Sequence, residues 1–560
     1  MIDWKKYVLV FAGSLVLLIL IEQGEALSPI NLLLTLILFG VPLSGIVLSN
    51  AGMIRQADYP ACAYASSAAV GAIYLMTCNP WVSIIGDNIV NIRDATRLLN
   101  GLPLLDSQYG IGFKCLLVPP IALFDGSVTA MKVVMASTGV LFPLFGFLVL
   151  SRFVSKNRAL TIAVLSGLLP VSVTYSNQLI ADLPYGAFSF LAMYVTLRYV
   201  DRPEVSWPWL IGASCALGWA YHIKSPGLFI AVAAVITMLL RREVVKSALL
   251  VVGVSIWVAP WMLFLRSNFG EVGHFSGMLI QIERGEHMPD HEIGDFWHNF
   301  FYFIFQKNPQ EHLRNLGTVF FPFDFPGEAW LFLILIVVGF FLGRQLVYWK
   351  PVSVLKSLEV HDWYVLGYFF VLFTLPGSPD RYLIPVLPFL MLYLFRGFEA
   401  VLGLLRETFV LRVGFSVLAV GIFLGAYSAD VGIISFKRSQ RGYGGYWESY
   451  YQAALWVRSH TPQKSRIAAR KPSLMWFWSR RESAVFPRTK NKEEALEGLK
   501  SSFDYVVVDN LPFFPDKVKY LIPVIEAYPE RFAIVHTTPE PKNYVLKMVP
   551  VRDGLKSGSP

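Results

Sequence analysis

The apolar residues of this chain come in repeated blocks of about 15 to 23, and no other feature restricts its fold as strongly. A block of that length crosses the hydrocarbon core of a bilayer as a helix. Composition agrees. Of 560 residues, 55% are hydrophobic and only 16% charged, with a mean hydropathy of +0.51. A soluble domain carries roughly a quarter charged residues. The sequence reads as a polytopic α-helical membrane protein. The net charge of +9 is then no sign of nucleic-acid binding, because it sits mostly in the short loops that orient such a protein. Membrane lipids are the expected surroundings.

The expected spans are 7–21, 29–48, 60–78, 128–150, 159–176, 183–200, 207–221, 225–240, 247–265, 328–347, 362–376, 382–396 and 413–429, about thirteen crossings. Apolar runs at 113–124 and 296–306 are too short to cross and suit an interfacial or re-entrant place. Loop charges support this alternation. Arg55, Arg152, Lys156, Arg158, Arg198, Arg202, Arg241, Arg242, Lys246, Arg344, Lys350, Lys356, Arg396, Arg406 and Arg412 all fall on one side, the cytoplasmic one by the positive-inside tendency. The other side receives IEQGEALSP, the loop that starts at Gly86, YSNQLIAD, the segment 266–327 and LPGSPDR. The N-terminus is therefore expected inside, without a cleaved signal, and the tail outside a multi-pass cell (inner) membrane. Cys62, Cys78, Cys115 and Cys215 lie in or beside apolar segments and read as small core residues, not as a disulfide framework or metal site.

Three regions follow: a two-span extension at 1–59, a membrane domain at 60–430 and an extracytoplasmic α/β domain at 431–560. The last is polar. It alternates helix patterns (Tyr450 to Ser459, NKEEALEGLKSS) with strand patterns (SRIAAR, FDYVVVD, RFAIVHTT, NYVLKMV).

Four features on the outer side could carry chemistry. Asp87 heads GDNIVNIRDATRLLNG, with Asn91, Ala95 and Leu99 following at helical spacing. Asp182 stands in SNQLIADLPYGAFSF where a span begins. Lys224, in YHIKSPGLF, is a cation between two short spans, and SPDRYLIPVLP sets Asp380, Arg381 and Tyr382 at the mouth of another. Each has a plain structural reading. Asp87 suits a solvated loop acid or helix cap, Asp182 a cap before Pro184, and Lys224 and Arg381 headgroup anchors that snorkel. His222 suits a packed interfacial residue, and no metal-ligand spacing occurs.

Asp87 with its helix, then Asp182 before Leu-Pro and an aromatic span, then GWAYHIKSPGLFIAVAAV and RYLIPVLPFLMLY, resemble in that order the C-type glycosyltransferases that use polyprenyl-phosphate sugars. Among these the chain is most similar to the protein O-mannosyltransferases and the bacterial aminoarabinose transferases of lipid A. The likeness runs from about Pro60 to the last span, and AALWVRSHTPQKSRIAARKP is similar to the family's extracytoplasmic domain. Two positions depart from it. Many members place Glu directly after the first acid and Tyr four residues after it, where this chain has Asn88 and Asn91.

The resemblance implies transfer of a sugar from a polyprenyl-phosphate donor to a protein, lipid A, glycan or lipid acceptor, with no cofactor or metal evident. Asp87 would be the general base, and Asp182 would orient the acceptor or a cation. Lys224 and Arg381, beside Tyr382, would hold the donor phosphate. A secondary transporter is the main rival, but transporters place ionisable groups near the bilayer midplane, whereas these spans carry charge almost only at their ends. A non-catalytic flippase or assembly component is the second rival.

Overall fold

The computed structural model describes residues 4–21, 29–84, 86–104, 110–269, 295–320, 328–342, 357–374, 379–403, 408–512 and 517–549. The loop residues 22–28 and 375–378, most of the segment 266–327, and Arg344, Lys350, Lys356 and Arg406 lie outside them. Two units emerge: Met1–Pro80 with Asp94–Ser439, and Trp81–Arg93 with Gln440–Pro560.

The first unit is helical, and helices occupy all thirteen apolar segments. Five helices are long and apolar enough to cross a membrane among the described residues, and others, such as Ile111–Leu123, are apolar but shorter. The reason is visible in the sequence. The segment 159–176 breaks into Lys156–Leu168 and Pro170–Tyr175, with Leu169 extended at φ −59° and ψ 140°. Proline disfavours helical backbone at the residue before it, so Pro170 ends one helix and opens the next. The segment at 382–396 likewise begins as a 3₁₀ turn, Asp380–Val386, before the helix Leu387–Gly403. The last membrane helix, Thr408–Ser439, runs past 429 because apolar residues continue through Phe436, and it buries Asp430 completely.

Glycine allows the helices of this unit to touch by backbone. A Cβ on Gly339 would lie 1.8 Å from the Tyr393 carbonyl oxygen, and one on Gly397 1.8 Å from that of Leu335. The helices Glu328–Leu342 and Leu387–Gly403 therefore pack at a distance that a side chain would forbid. Large buried tyrosines, among them Tyr74, Tyr185, Tyr364 and Tyr368, fill the interior.

The second unit has a five-stranded mixed sheet: β1 Arg466–Ala468, β2 Glu482–Ala484, β3 Tyr505–Val508, β4 Phe532–Thr537 and β5 Tyr544–Met548, in the order β2-β1-β3-β5-β4. β1 runs parallel to β2 and β3, and β5 antiparallel to β3 and β4. The helices Pro472–Ser479 and Lys492–Ser502 supply the crossovers that parallel pairing demands. Asn491 caps the second, its side chain accepting from Glu493 N and Glu494 N. Ala468, Leu496, Leu499, Phe503, Val506 and Leu546 form the core beneath. β2 escaped the sequence pattern because it is three residues long and half exposed, with no alternation to read.

Candidate active site

Asp182 opens the helix Asp182–Val200, where a carboxylate in the first turn meets the positive end of the helix dipole. The chain before it is fixed by polar contacts: Asn177 donates to the Thr77 carbonyl at 2.7 Å, and the Thr77 and Ser176 hydroxyls are 3.2 Å apart. The Asp182 side chain is 4% exposed, so its charge needs partners. It has two cations. Lys224 Nζ donates to Oδ1 at 2.5 Å, and Arg381 Nε lies 3.8 Å from Oδ2.

Each cation is aimed by a local break in helix. Lys224 is extended at the end of Trp207–Ile223, and a 3₁₀ turn, Ser225–Gly227, follows before Leu228–Leu240. A Cβ on Gly227 would sit 2.6 Å from the Tyr221 nitrogen, so the turn folds directly onto the helix end. Arg381 stands in the turn Asp380–Val386, where Asp380 Oδ1 accepts from the Arg381 amide at 2.8 Å and from the Tyr175 hydroxyl at 2.9 Å. Tyr382 lies under both cations, with Lys224 Nζ 4.3 Å and Arg381 Cζ 5.4 Å from its ring centroid. The Tyr368 hydroxyl donates to the Tyr382 carbonyl at 2.9 Å and holds that residue from below. The result is one buried carboxylate organising a primary ammonium and a guanidinium over one aromatic face. Such an arrangement can grip a phosphate, Arg by its planar fork and Lys as a point charge.

Asp182, Lys224, Arg381 and Tyr382 are thus brought together within the first unit. Asp87 lies in the first turn of the helix Gly86–Leu99, in the stretch that groups with the C-terminal unit. Asn88 and Asn91 on the same helix are buried. His222, at the end of its helix, contacts the Trp257 carbonyl at 3.1 Å. Among the described residues, no group of three or more His, Cys, Asp or Glu side chains is gathered as metal ligands.

Residues 118–264 match the sequence profile of the family described as dolichyl-phosphate-mannose-protein mannosyltransferase. No curated protein matches the chain. Among solved structures, ArnT from Cupriavidus metallidurans bound to undecaprenyl phosphate shares 14% identity at a TM-score of 0.51, over 88% of this chain and 98% of its own. The Archaeoglobus fulgidus oligosaccharyltransferase tethered to an acceptor peptide shares 12% at 0.55, over 87% and 74%. The same organism's AglB, in complex with an inhibitory peptide and a dolichol-phosphate, shares 14% at 0.52, over 80% and 69%. The fold is that of the C-type glycosyltransferases. The resemblance read from the sequence stands on two further grounds, the matched profile and the shared fold, and with it the reading of the chain as a membrane glycosyltransferase.

Several polar residues escaped the sequence reading. Lys114 and Asp94 form a fully buried ion pair at 2.7 Å. A lysine inside the apolar run IGFKCLLVPP was the available signal, since an unpartnered cation there would be prohibitive. Lys132 is buried and donates to Asn79 at 2.7 Å. Neither it nor Asp430 appeared as an intramembrane charge, because both sit near the span ends read from sequence.

Proposed function

We propose that the protein moves a sugar from a polyprenyl-phosphate donor to an acceptor on the extracytoplasmic side of the cell membrane. In this reading the chain crosses about thirteen times with its N-terminus in the cytoplasm, and the α/β unit is extracytoplasmic. Lys224 and Arg381 hold the donor phosphate on the Tyr382 ring, and Asp182 holds the two cations. Asp87 is the general base. The acceptor oxygen bonds to the anomeric carbon as that carbon's bond to the phosphate oxygen breaks. The electron pair leaves with the polyprenyl phosphate, and the acceptor proton passes to the Asp87 carboxylate. The phosphate is already a leaving group, and the apolar helices accommodate the lipid tail.

The observation that supports this most is the buried Asp182 carboxylate with Lys224 and Arg381 on one ring. The likeness to structures that carry undecaprenyl phosphate or dolichol-phosphate supports the donor class. Two cations at the membrane edge would favour the leaving phosphate strongly where water is scarce. A strain lacking the protein should accumulate one polyprenyl-phosphate sugar and lose one envelope glycan, both seen by mass spectrometry. The wild-type chain should reverse both changes, and a Lys224→Met, Arg381→Gln double variant should not. Unchanged lipid-linked sugars in the deletion strain, or full rescue by the double variant, would overturn the reading.

A further inference from the structure

Within the membrane unit, two side chains of one helix close the end of another. Asn308 and His312 stand four residues apart on the helix Asn308–Phe320 and so share a face. Both are buried. Asn308 Nδ2 donates to the Phe373 carbonyl at 2.6 Å. His312 Nε2 lies 3.4 Å from the Leu372 carbonyl, and because a carbonyl only accepts, that nitrogen carries the proton. The His312 ring also packs 5.8 Å from that of Phe373. Leu372 and Phe373 belong to the last turn of the helix Val360–Thr374. The final carbonyls of a helix have no partner inside it. Helices commonly satisfy them with residues that follow directly in the chain. Here the donors come from 60 and 65 positions earlier, so the seat of this helix end depends on a second helix.

The helix closed in this way meets both halves of the cation cluster. Its Tyr368 hydroxyl donates at 2.9 Å to the carbonyl of Tyr382, whose ring lies against Lys224 and Arg381. Its Tyr364 hydroxyl is 3.3 Å from that of Tyr185, three residues after Asp182 on the helix Asp182–Val200. The Tyr185 and Tyr368 rings stack at 6.5 Å. Val360–Thr374 is therefore a brace between the helix that carries the carboxylate and the turn that carries Arg381 and Tyr382. Asn308–Phe320 packs on that brace and on the turn Asp380–Val386 as well.

We propose that Asn308 and His312 are positioning residues for the donor phosphate. Through the last turn of Val360–Thr374 and through Tyr368 they set Tyr382, and with it the two cations that grip the phosphate. The helix Asn308–Phe320 is then part of the donor site. The inference rests on the reading of Lys224, Arg381 and Tyr382 as that site.

The test measures the dissociation constant of undecaprenyl phosphate for the purified full-length protein, so neither acceptor nor turnover enters. Asn308→Leu keeps the approximate size and removes the donor, and it should weaken binding about 10-fold, the order of one lost hydrogen bond. Tyr368→Phe, which loses only the hydroxyl on the Tyr382 carbonyl, should weaken it by a similar factor. His312→Leu should have a smaller effect, and His312→Gln, which keeps an N–H donor, should bind within about twofold of the wild type. In an Arg381→Gln background, Asn308→Leu should add less than about twofold, because the group it positions is gone. Thermal unfolding checks that each variant folds, and Tyr368→Phe takes the place of Asn308→Leu if the latter does not. Wild-type affinity in the folded variant, with only the melting temperature lowered, reduces the two residues to a structural cap and overturns the inference. An equal fold loss in both backgrounds overturns it too, and either result leaves the phosphate site intact. Wild-type affinity in Arg381→Gln alone overturns the phosphate site, and the inference with it.

Discussion

Two charged clusters, one in each unit, show how differently a buried carboxylate can be used. In the C-terminal unit, Asp509 and Arg470 are closed to solvent, at 1% and 2% exposure. Asp509 also accepts from the Leu511 amide at 3.0 Å, and Lys517 donates to the Asp509 carbonyl, so the pair ties together the strand ends around it. In the membrane unit, Asp182 is as deeply buried, yet Lys224 remains 23% exposed and Arg381 11%. One acid there faces two cations, and both cations lie against one ring. A closed pair of this kind suits a structural role, whereas one carboxylate beside two partly open cations suits the anion-binding role proposed for it. Burial of charge alone therefore does not identify function.

That contrast can be broken most forcefully at the closed pair. Arg470→Met leaves Asp509 buried without its cation and should cost about 3–5 kcal/mol of stability in chemical denaturation of the purified protein. A loss below about 1 kcal/mol would mean that the pair does little for the fold. At the open cluster the effect should move from stability to turnover. Arg381→Lys exchanges a fork for a point charge and should weaken transfer by about 1.5–3 kcal/mol, roughly 10- to 150-fold, with the melting temperature nearly unchanged. Wild-type kinetics in a folded Arg381→Lys protein would reduce Arg381 to a headgroup anchor. Asp182→Asn should have the smallest effect, under about tenfold in transfer, because the amide oxygen can still accept from Lys224. A loss as large as that of a base variant would make Asp182 more than a holder of cations.

Much of the helical architecture was legible because apolar runs and their punctuation are local signals. Pro170 marks its own helix break, and the strands at FDYVVVD and NYVLKMV announce themselves by β-branched residues. The pairings were not legible. Nothing in YHIKSPGLF indicates that Lys224 reaches Asp182, since the contact depends on how the helices Asp182–Val200 and Trp207–Ile223 pack and how Gly227 tightens the following turn. The grouping of Trp81–Arg93 with residues after Gln440 is likewise a tertiary fact, set by Trp81 and Tyr443. The buried pair of Asp94 and Lys114 was half legible: the lysine stood out in an apolar run, but its partner did not.

The central claim is enzymatic transfer with Asp87 as base, and one assay addresses it directly. Purified full-length protein is given the polyprenyl-phosphate sugar that accumulates in the deletion strain, and free polyprenyl phosphate and glycosylated acceptor are measured together. The wild type should form both in equal amounts. Asp87→Asn keeps the side chain's size, so it should fold normally, yet transfer should fall by about 10²- to 10⁴-fold. A well-folded Asp87→Asn protein that transfers at the wild-type rate would contradict the account.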